Sequence, residues 1–125
     1  SSSIPELLKY DNSDYQKTLL PDKPIFVFCG IADPHSFIYS AEELSLQIKD
    51  YRFLNDHQDY TDSVIQELSE QIRSNGISYV VTTEKDMVKL PNSFLSEFEM
   101  YVIKINIKFK KTSDLISQIQ STINN

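Results

Sequence analysis

The feature that most constrains the fold is an uninterrupted apolar run, Ile25-Phe26-Val27-Phe28-Cys29. Most of its residues are β-branched or aromatic, and a run this short is typical of a strand rather than of a buried helix. Because no position in it is polar, we expect the strand to be buried on both faces, as in a parallel sheet that helices cover. The run therefore predicts a sheet that lies between two layers of helices.

Three more segments predict strands, at residues 51–54, 77–81 and 100–107. Helical patterns alternate with them, at residues 33–49, 61–76, 87–90 and 112–124. Asp33 is the predicted N-cap of the first helix, and Thr61 or Asp62 that of the second. Gly76 has the position and the residue type that end a helix, and Pro91 ends the short third one.

Alternation of strands and helices predicts an α/β fold. We expect a three-layer sandwich, with a mostly parallel, Rossmann-like sheet of about four to five strands and helices on both faces. Residues 24–125 are predicted to form this lobe. Residues 1–23 are polar and mixed, and prolines around a charged pair follow Leu20, so they are predicted to be a linker.

Composition limits the possible partners. The 125 residues carry a formal net charge of −6, which argues against nucleic-acid binding because that needs a basic face. No apolar run approaches the roughly 20 residues of a membrane-spanning helix. The single cysteine, Cys29, lies in the first predicted strand and is expected to be a buried thiol.

Unusual polar residues follow the ends of the first three predicted strands. The segments are "CGIADP", "NDHQDY" and "TTEKD". In a parallel sheet the carboxyl ends of the strands lie at one edge, where ligands usually bind. The sequence therefore predicts that these three segments meet at a common edge.

His57, in the second of these segments, is the candidate catalytic residue. A neutral imidazole can accept a proton, and a carboxylate such as that of Asp56 can orient it. Neighbours in sequence do not necessarily face each other, however, so His57 can equally be a solvated or turn-capping residue. Asp56 and Asp59 can likewise be turn or capping acids.

The other two segments leave similar alternatives open. Thr82 or Thr83 can cap the turn that follows the third strand, whereas Glu84, Lys85 and Asp86 can bind a polar ligand or pair with one another at the surface. "CGIADP" places Gly30 before a helix N-terminus, which can hold an anion. A single glycine is much less specific than a G-x-G-x-x-G fingerprint.

Several common motifs are missing from the sequence. It contains no G-x-x-x-x-G-K-[ST] phosphate loop, no Cys/His cluster with zinc spacing and no G-x-S-x-G motif. From its residues alone, the chain is an α/β domain with a polar edge and an incomplete site.

The motifs "FCGIADPHSF", "NDHQDY" and "VVTTEKDMVKL", in this order, resemble the C-terminal domain of tetraacyldisaccharide 4′-kinases, the lipid A kinases of Gram-negative bacteria. The family patterns are similar to G-I-[AG]-[NS]-P, D-H-[HY]-x-[FY] and T-E-K-D-A-V-K. The resemblance covers roughly residues 24–107. Each motif is modest alone, but each of the three follows a predicted strand.

The resemblance implies a kinase, similar to P-loop kinases, that transfers the γ-phosphoryl group of ATP, with Mg²⁺, to the 4′-hydroxyl of a tetraacyldisaccharide 1-phosphate in lipid A biosynthesis. It implies that ATP and Mg²⁺ bind mainly to an N-terminal lobe, with residues 1–23 linking that lobe to this one. It also implies that the enzyme acts at the cytoplasmic face of the inner membrane, and that the other lobe makes the contact with the membrane. The 125-residue chain alone is then expected to be soluble and inactive.

Individual residues take roles from the same resemblance. His57 corresponds to the family histidine that, with an aspartate of the N-terminal domain, activates the sugar hydroxyl, and Asp56 is its neighbouring acid. Six further residues correspond to positions at the substrate or nucleotide cleft: Gly30, Tyr60, Thr83, Glu84, Lys85 and Asp86. No residue is expected to bind a metal in this chain.

The chain departs from the family patterns at three positions: Asp33 stands where Asn or Ser is common, Gln58 where His or Tyr is more usual, and Met87 where Ala is common. Two alternatives to the kinase lobe remain at this stage. One is a stand-alone binding module of the flavodoxin or receiver type, although a first strand ending in Cys29-Gly30 lacks the acids of a phosphoacceptor site. The other is a structural domain without a site.

Overall fold

The structure is a computed structural model that describes residues 2–19 and 22–108. Its six strands form one sheet in the order β2-β1-β6-β5-β3-β4. The strands are β1 (Ser2–Asp11), β2 (Asp14–Lys17), β3 (Pro24–Cys29), β4 (Gln47–Phe53), β5 (Tyr79–Thr83) and β6 (Glu99–Lys108). The helices are α1 (Pro34–Glu43), α2 (Asp62–Ser74), α3 (Glu84–Met87) and α4 (Asn92–Glu97).

The predicted α/β fold with a mostly parallel sheet is confirmed. Strands β4, β3, β5 and β6 pair in parallel, in that spatial order. All residues of β3 after its first are buried, as the apolar run predicts. The sheet has six strands rather than four to five, because β1 and β2 extend it beyond β6 in antiparallel pairing.

Helices cover both faces of the sheet, and each face has its own core. Side chains of β3 alternate between the cores: Phe26 and Phe28 face α2 and α4, whereas Ile25 and Val27 face α1. This alternation is the period of two that a strand imposes. The strand-end loops are therefore held by packing from two sides.

The linker predicted over residues 1–23 is wrong for residues 2–17, which form the hairpin of β1 and β2. The hairpin turns at Asn12 and Ser13, both with positive φ, as in a two-residue turn that favours asparagine. Leu7 and Leu8 enter the two cores. Among the described strands, β1 pairs at Pro5 with β6 alone, since β2 pairs only with the second half of β1, and proline is tolerated on such an edge.

The first helix ends earlier than residue 49. It stops at Glu43, and Ser45 has a φ of 60° while Leu46 N–H donates to the carbonyl of Ala41, as in a Schellman cap. Ile48, which the sequence pattern assigns to the helix, lies in β4. Glycine usually takes the position of Ser45, so this stop has no clear sequence signal.

The predicted caps of α2 are confirmed. Thr61 accepts a hydrogen bond from the backbone N–H of Val64, and Gly76 has a φ of 67° directly after the helix. The helix α4 follows Pro91 and was not predicted. The helix predicted over residues 112–124 lies outside the described residues. Among the helices of the described ranges, none has the length and apolarity to cross a membrane.

Candidate functional site

The carboxyl ends of β3, β4 and β5 meet at one edge, as predicted. Chain order takes β3 first to β4 on one side and then to β5 on the other, so a topological switch point lies between β3 and β5. Ligands of doubly wound sheets usually bind in the crevice at such a point. Here the crevice lies between Gly30 and the turn that begins at Thr83.

Asp86 fills this crevice with its own carboxylate, and its side chain is fully buried. Oδ2 accepts from the backbone N–H of Gly30 at 3.1 Å and from the hydroxyl of Thr83 at 2.5 Å. Oδ1 accepts from the hydroxyl of Tyr60 at 2.8 Å. We call Asp86 and these three partners the Asp86 cluster. From the sequence, the glycine turn at Gly30 is expected to be able to bind an anion. In the structure, the anion that it binds is the Asp86 carboxylate of the same chain.

Thr83 places Asp86 in the crevice. Its hydroxyl oxygen accepts from the backbone N–H of Asp86 at 3.0 Å, which caps α3, and the same hydroxyl donates to the Asp86 carboxylate. The predicted capping role of this threonine pair therefore belongs to Thr83. Thr82 instead donates to the buried carbonyl of Phe28 at 2.8 Å, which ties β5 to β3.

Tyr60 brings the β4–α2 loop to the same carboxylate. Its ring packs edge-on against Phe28 with centroids 6.2 Å apart. Burial, followed by the nearby charge of Asp86, raises the pKa of Tyr60, so its hydroxyl stays protonated and can donate. Burial and Asp86 also raise the pKa of the Cys29 thiol to about 12, and that group is inert at neutral pH, as expected of a buried cysteine.

Gly30 leaves room for the loop that carries His57. A Cβ at this position would lie 2.9 Å from the carbonyl oxygen of Asn55 and 3.2 Å from the Cβ of Gln58. The first of these contacts is with backbone, which cannot move away without displacing the loop. The need for glycine here comes from close approach of two loops.

The exposed part of the edge carries the charged side chains. Lys85 Nζ lies 3.4 Å from Asp56 Oδ1, and His57 Nε2 lies 3.7 Å from Asp56 Oδ2. We call these three residues the His57 rim. The side chain of His57 is 78% exposed, and those of Asp56 and Lys85 are 41% and 45% exposed. The rim is accessible to a ligand, and its ion pairs are of the weak, solvated kind.

The loop holds His57 in an unusual backbone conformation. Its φ is 60°, in the left-handed region that few non-glycine residues adopt and that recurs at functional sites. The side chain of Gln58 accepts from the backbone N–H of Asn55 at 3.2 Å, and Lys89 donates to the carbonyl of Gln58 at 3.3 Å. Sequence reasoning missed Lys89, and treated Gln58 only as a departure from a pattern.

The structure separates the sequence-predicted site residues into two groups. Asp56, His57, Lys85 and Glu84 are exposed at the edge, whereas Asp86 and Gly30 are buried and Tyr60 and Thr83 are half-buried. Asp86 and Tyr60 already bind each other. The exposed group can meet a ligand without rearrangement, and Thr83 lines an open groove together with Glu84 and Lys85.

Comparisons with known proteins agree with the motifs. The family model described as tetraacyldisaccharide-1-P 4′-kinase matches residues 4–124. A tetraacyldisaccharide 4′-kinase of Desulfotalea psychrophila is 37% identical over 84 residues, which are 67% of this chain and 24% of that protein. One of Chlorobium limicola is 28% identical over 103 residues, 78% of this chain and 29% of that protein.

A solved structure shows the same fold. It is the "apo" form of LpxK from Aquifex aeolicus in complex with ATP, with a TM-score of 0.58 and 22% identity, over 95% of this chain and 35% of that one. The chain spans about a quarter to a third of the length of these relatives. These matches do not support the receiver-type alternative. Because the family model matches nearly all of its residues, the chain belongs to the tetraacyldisaccharide 4′-kinase family.

Proposed function

We propose that this chain is the C-terminal lobe of a kinase that transfers the γ-phosphoryl group of ATP to the 4′-hydroxyl of a tetraacyldisaccharide 1-phosphate, a step of lipid A biosynthesis. Family membership supports this reaction class. The observation that carries the proposal is His57, an exposed imidazole held at positive φ where the carboxyl ends of the parallel strands meet, beside the Asp56–Lys85 pair.

His57 acts in this proposal as an acceptor for the proton of the sugar hydroxyl. Phosphoryl transfer depends mainly on positioning and on stabilisation of charge, so one lobe can contribute a single proton-accepting group. The carboxylate of Asp56 lies close enough to stabilise the charge that the ring gains. Lys85 Nζ lies 3.4 Å from the other oxygen of that carboxylate.

ATP and Mg²⁺ belong to the remainder of the enzyme in this proposal. The described residues include no group of three or more His, Cys, Asp or Glu side chains that could hold a metal ion. The oxygens of Asp86 are already occupied by three donors. The described residues therefore do not fit a magnesium site, and the sequence has no phosphate loop for the nucleotide.

The partners of the lobe follow from this division. It closes over a cleft formed with an N-terminal P-loop lobe, and the lipid A precursor enters between the two lobes. Contact with the cytoplasmic face of the inner membrane is assigned to the other lobe. The net charge of −6 agrees with this, because such a lobe gains little from anionic lipid.

The test is His57→Ala in the full-length enzyme. Loss of a positioned proton acceptor should lower kcat for ATP-dependent phosphorylation of the lipid by about 100-fold or more. Asp59→Ala is the matched control, because Asp59 is an exposed residue of the same loop, and it should keep near-normal turnover. Near-normal turnover of His57→Ala would remove His57 from the mechanism, and an unmodified enzyme that does not phosphorylate this lipid would overturn the function.

The 125-residue chain alone should show no lipid kinase activity, since it contains no phosphate loop. Incubation of the purified chain with ATP, Mg²⁺ and the disaccharide lipid checks this expectation. Measurable phosphorylation would contradict the assignment of ATP binding to the other lobe.

A further inference from the structure

We propose that Asp86 and Tyr60 are positioning residues for His57, and that they are not ligands of the nucleotide or the lipid. This inference rests on the proposed function, because it assigns the way in which the His57 loop is kept ready for phosphoryl transfer. It replaces the expectation that both residues line the cleft.

Burial and occupancy argue against direct contact with a substrate. The Asp86 side chain has no exposed surface, and its oxygens accept from three donors that the chain supplies. A substrate could reach the carboxylate only by displacing hydrogen bonds that a buried group cannot lose cheaply. Asp86 fills the inner part of the switch-point crevice, and neither Asp86 nor Tyr60 lines the open groove of about 330 Å³ beside it, whose lining includes Thr83, Glu84 and Lys85.

The same contacts lead to the His57 loop. Tyr60 follows His57 by three residues, and its hydroxyl binds Asp86 at 2.8 Å, which fixes the end of the loop. The start of the loop is fixed by Leu54, whose backbone N–H donates to the carbonyl of Cys29 at 2.8 Å. His57 lies between these two anchors in a left-handed conformation that needs support from its surroundings.

Gly30 connects the two anchors. Its backbone N–H binds Asp86, and its missing side chain lets Asn55 and Gln58 pack against it. The carboxylate therefore sets the distance between the β3 end and the His57 loop. Loss of this support should displace the imidazole, and displacement of a reacting group by about 1 Å can cost on the order of 100-fold in rate.

The experiment compares Tyr60→Phe with Thr82→Val in the full-length enzyme. Each change removes one hydroxyl that donates a hydrogen bond at 2.8 Å, and the two sites differ in that only Tyr60 holds the His57 loop. Tyr60→Phe should lower kcat by about tenfold to 100-fold. KM for ATP and for the lipid should stay within about twofold, and Thr82→Val should leave kcat near normal.

A second readout does not depend on activity. Amide hydrogen exchange of residues 55–60 should become about tenfold faster in Tyr60→Phe, whose loop has lost a hydrogen bond to a charged group, and should be unchanged in Thr82→Val. Asp86→Asn, which keeps the shape of the side chain, should accelerate exchange in the same segment. Asp86→Asn is used because a larger change, such as Asp86→Ala, can prevent folding.

The outcomes distinguish this inference from the proposed function. Equal exchange in Tyr60→Phe and Thr82→Val would overturn the positioning role, whatever the enzyme phosphorylates. A raised KM with unchanged kcat in Tyr60→Phe would also overturn it, because that pattern belongs to a residue that binds substrate. An unmodified enzyme without lipid kinase activity, together with faster exchange in Tyr60→Phe, would overturn the function while supporting the positioning role.

Discussion

The His57 rim and the Asp86 cluster lie at the same edge of the sheet, but they are held in opposite ways. The rim is exposed, with side chains that contact one another at 3.4 and 3.7 Å. The cluster beneath it is centred on a fully buried carboxylate with contacts of 2.5 to 3.1 Å. Two aspartates at the same edge of the sheet, Asp56 in the rim and Asp86 in the cluster, thus have different physical roles.

The difference indicates that one set of residues is accessible to a ligand and that a separate, buried set holds the loops in position. Exposed ion pairs contribute roughly 0–1 kcal/mol each, because water screens them and long side chains lose entropy. Hydrogen bonds to a buried charge contribute about 1.5–3 kcal/mol each. The rim therefore cannot hold its own geometry, and we expect the cluster to fix it. Three changes test this comparison.

Asp86→Ala should have the largest effect on stability. It leaves the N–H of Gly30 and the hydroxyls of Tyr60 and Thr83 without their acceptor, and we expect a loss of about 3 kcal/mol or more in the free energy of unfolding. Urea denaturation of the chain measures this loss. Glu84→Ala, an exposed change two residues earlier, should stay within about 0.5 kcal/mol. A loss below about 1 kcal/mol at Asp86 would mean that the cluster is not the stronger region.

Gly30→Ala should have an intermediate effect. The added Cβ meets the backbone of Asn55 at 2.9 Å, so we expect a loss of about 1–3 kcal/mol, together with faster amide exchange in residues 55–60. Gly76→Ala is the matched control. Its Cβ would meet open space, and only its φ of 67° should cost about 1 kcal/mol, with no change in that loop. If amide exchange in residues 55–60 is unchanged in Gly30→Ala, Gly30 does not support the loop that carries His57.

Asp56→Asn should have the smallest effect on stability, within about 0.5 kcal/mol, because both of its charged contacts are solvent-exposed. Thermal unfolding of the chain at low and high salt measures this change, and Glu67→Gln, which removes the exposed pair with Arg52, is a control of similar kind. A loss above about 1 kcal/mol in the free energy of unfolding would show that the ion pairs of the rim stabilise its geometry, contrary to the difference drawn between the rim and the cluster.

Parts of the fold that depend on local chemistry could be predicted from the sequence. The apolar run of β3 and the N-cap Thr61 are examples, since each is decided by residues within a few positions. The comparison of two helix ends shows the limit. Gly76 marks the end of α2 in the sequence, whereas Ser45 ends α1 with the same kind of cap and gives no such signal.

The hairpin was missed for a different reason. All four residues of its second strand are exposed, so the strand has no alternation of buried apolar residues that could indicate it. Asn12 is the signal in the sequence, because asparagine is common in two-residue turns. It indicates a hairpin only where a strand is predicted on each side of it. What makes this segment a part of the sheet is pairing of β1 with β6, about ninety residues later in the chain.

The sequence by itself determined the doubly buried strands, the alternation with helices and the polar segments that follow the strand ends. Only the tertiary structure decided which polar residues of those segments are buried. Asp86 has charged neighbours in sequence and would pass for a surface acid. The sheet order places β5 beside β3, which brings Gly30 and Tyr60 to its carboxylate and excludes water from it. A role that depends on three loops meeting in space cannot be seen in any one of them.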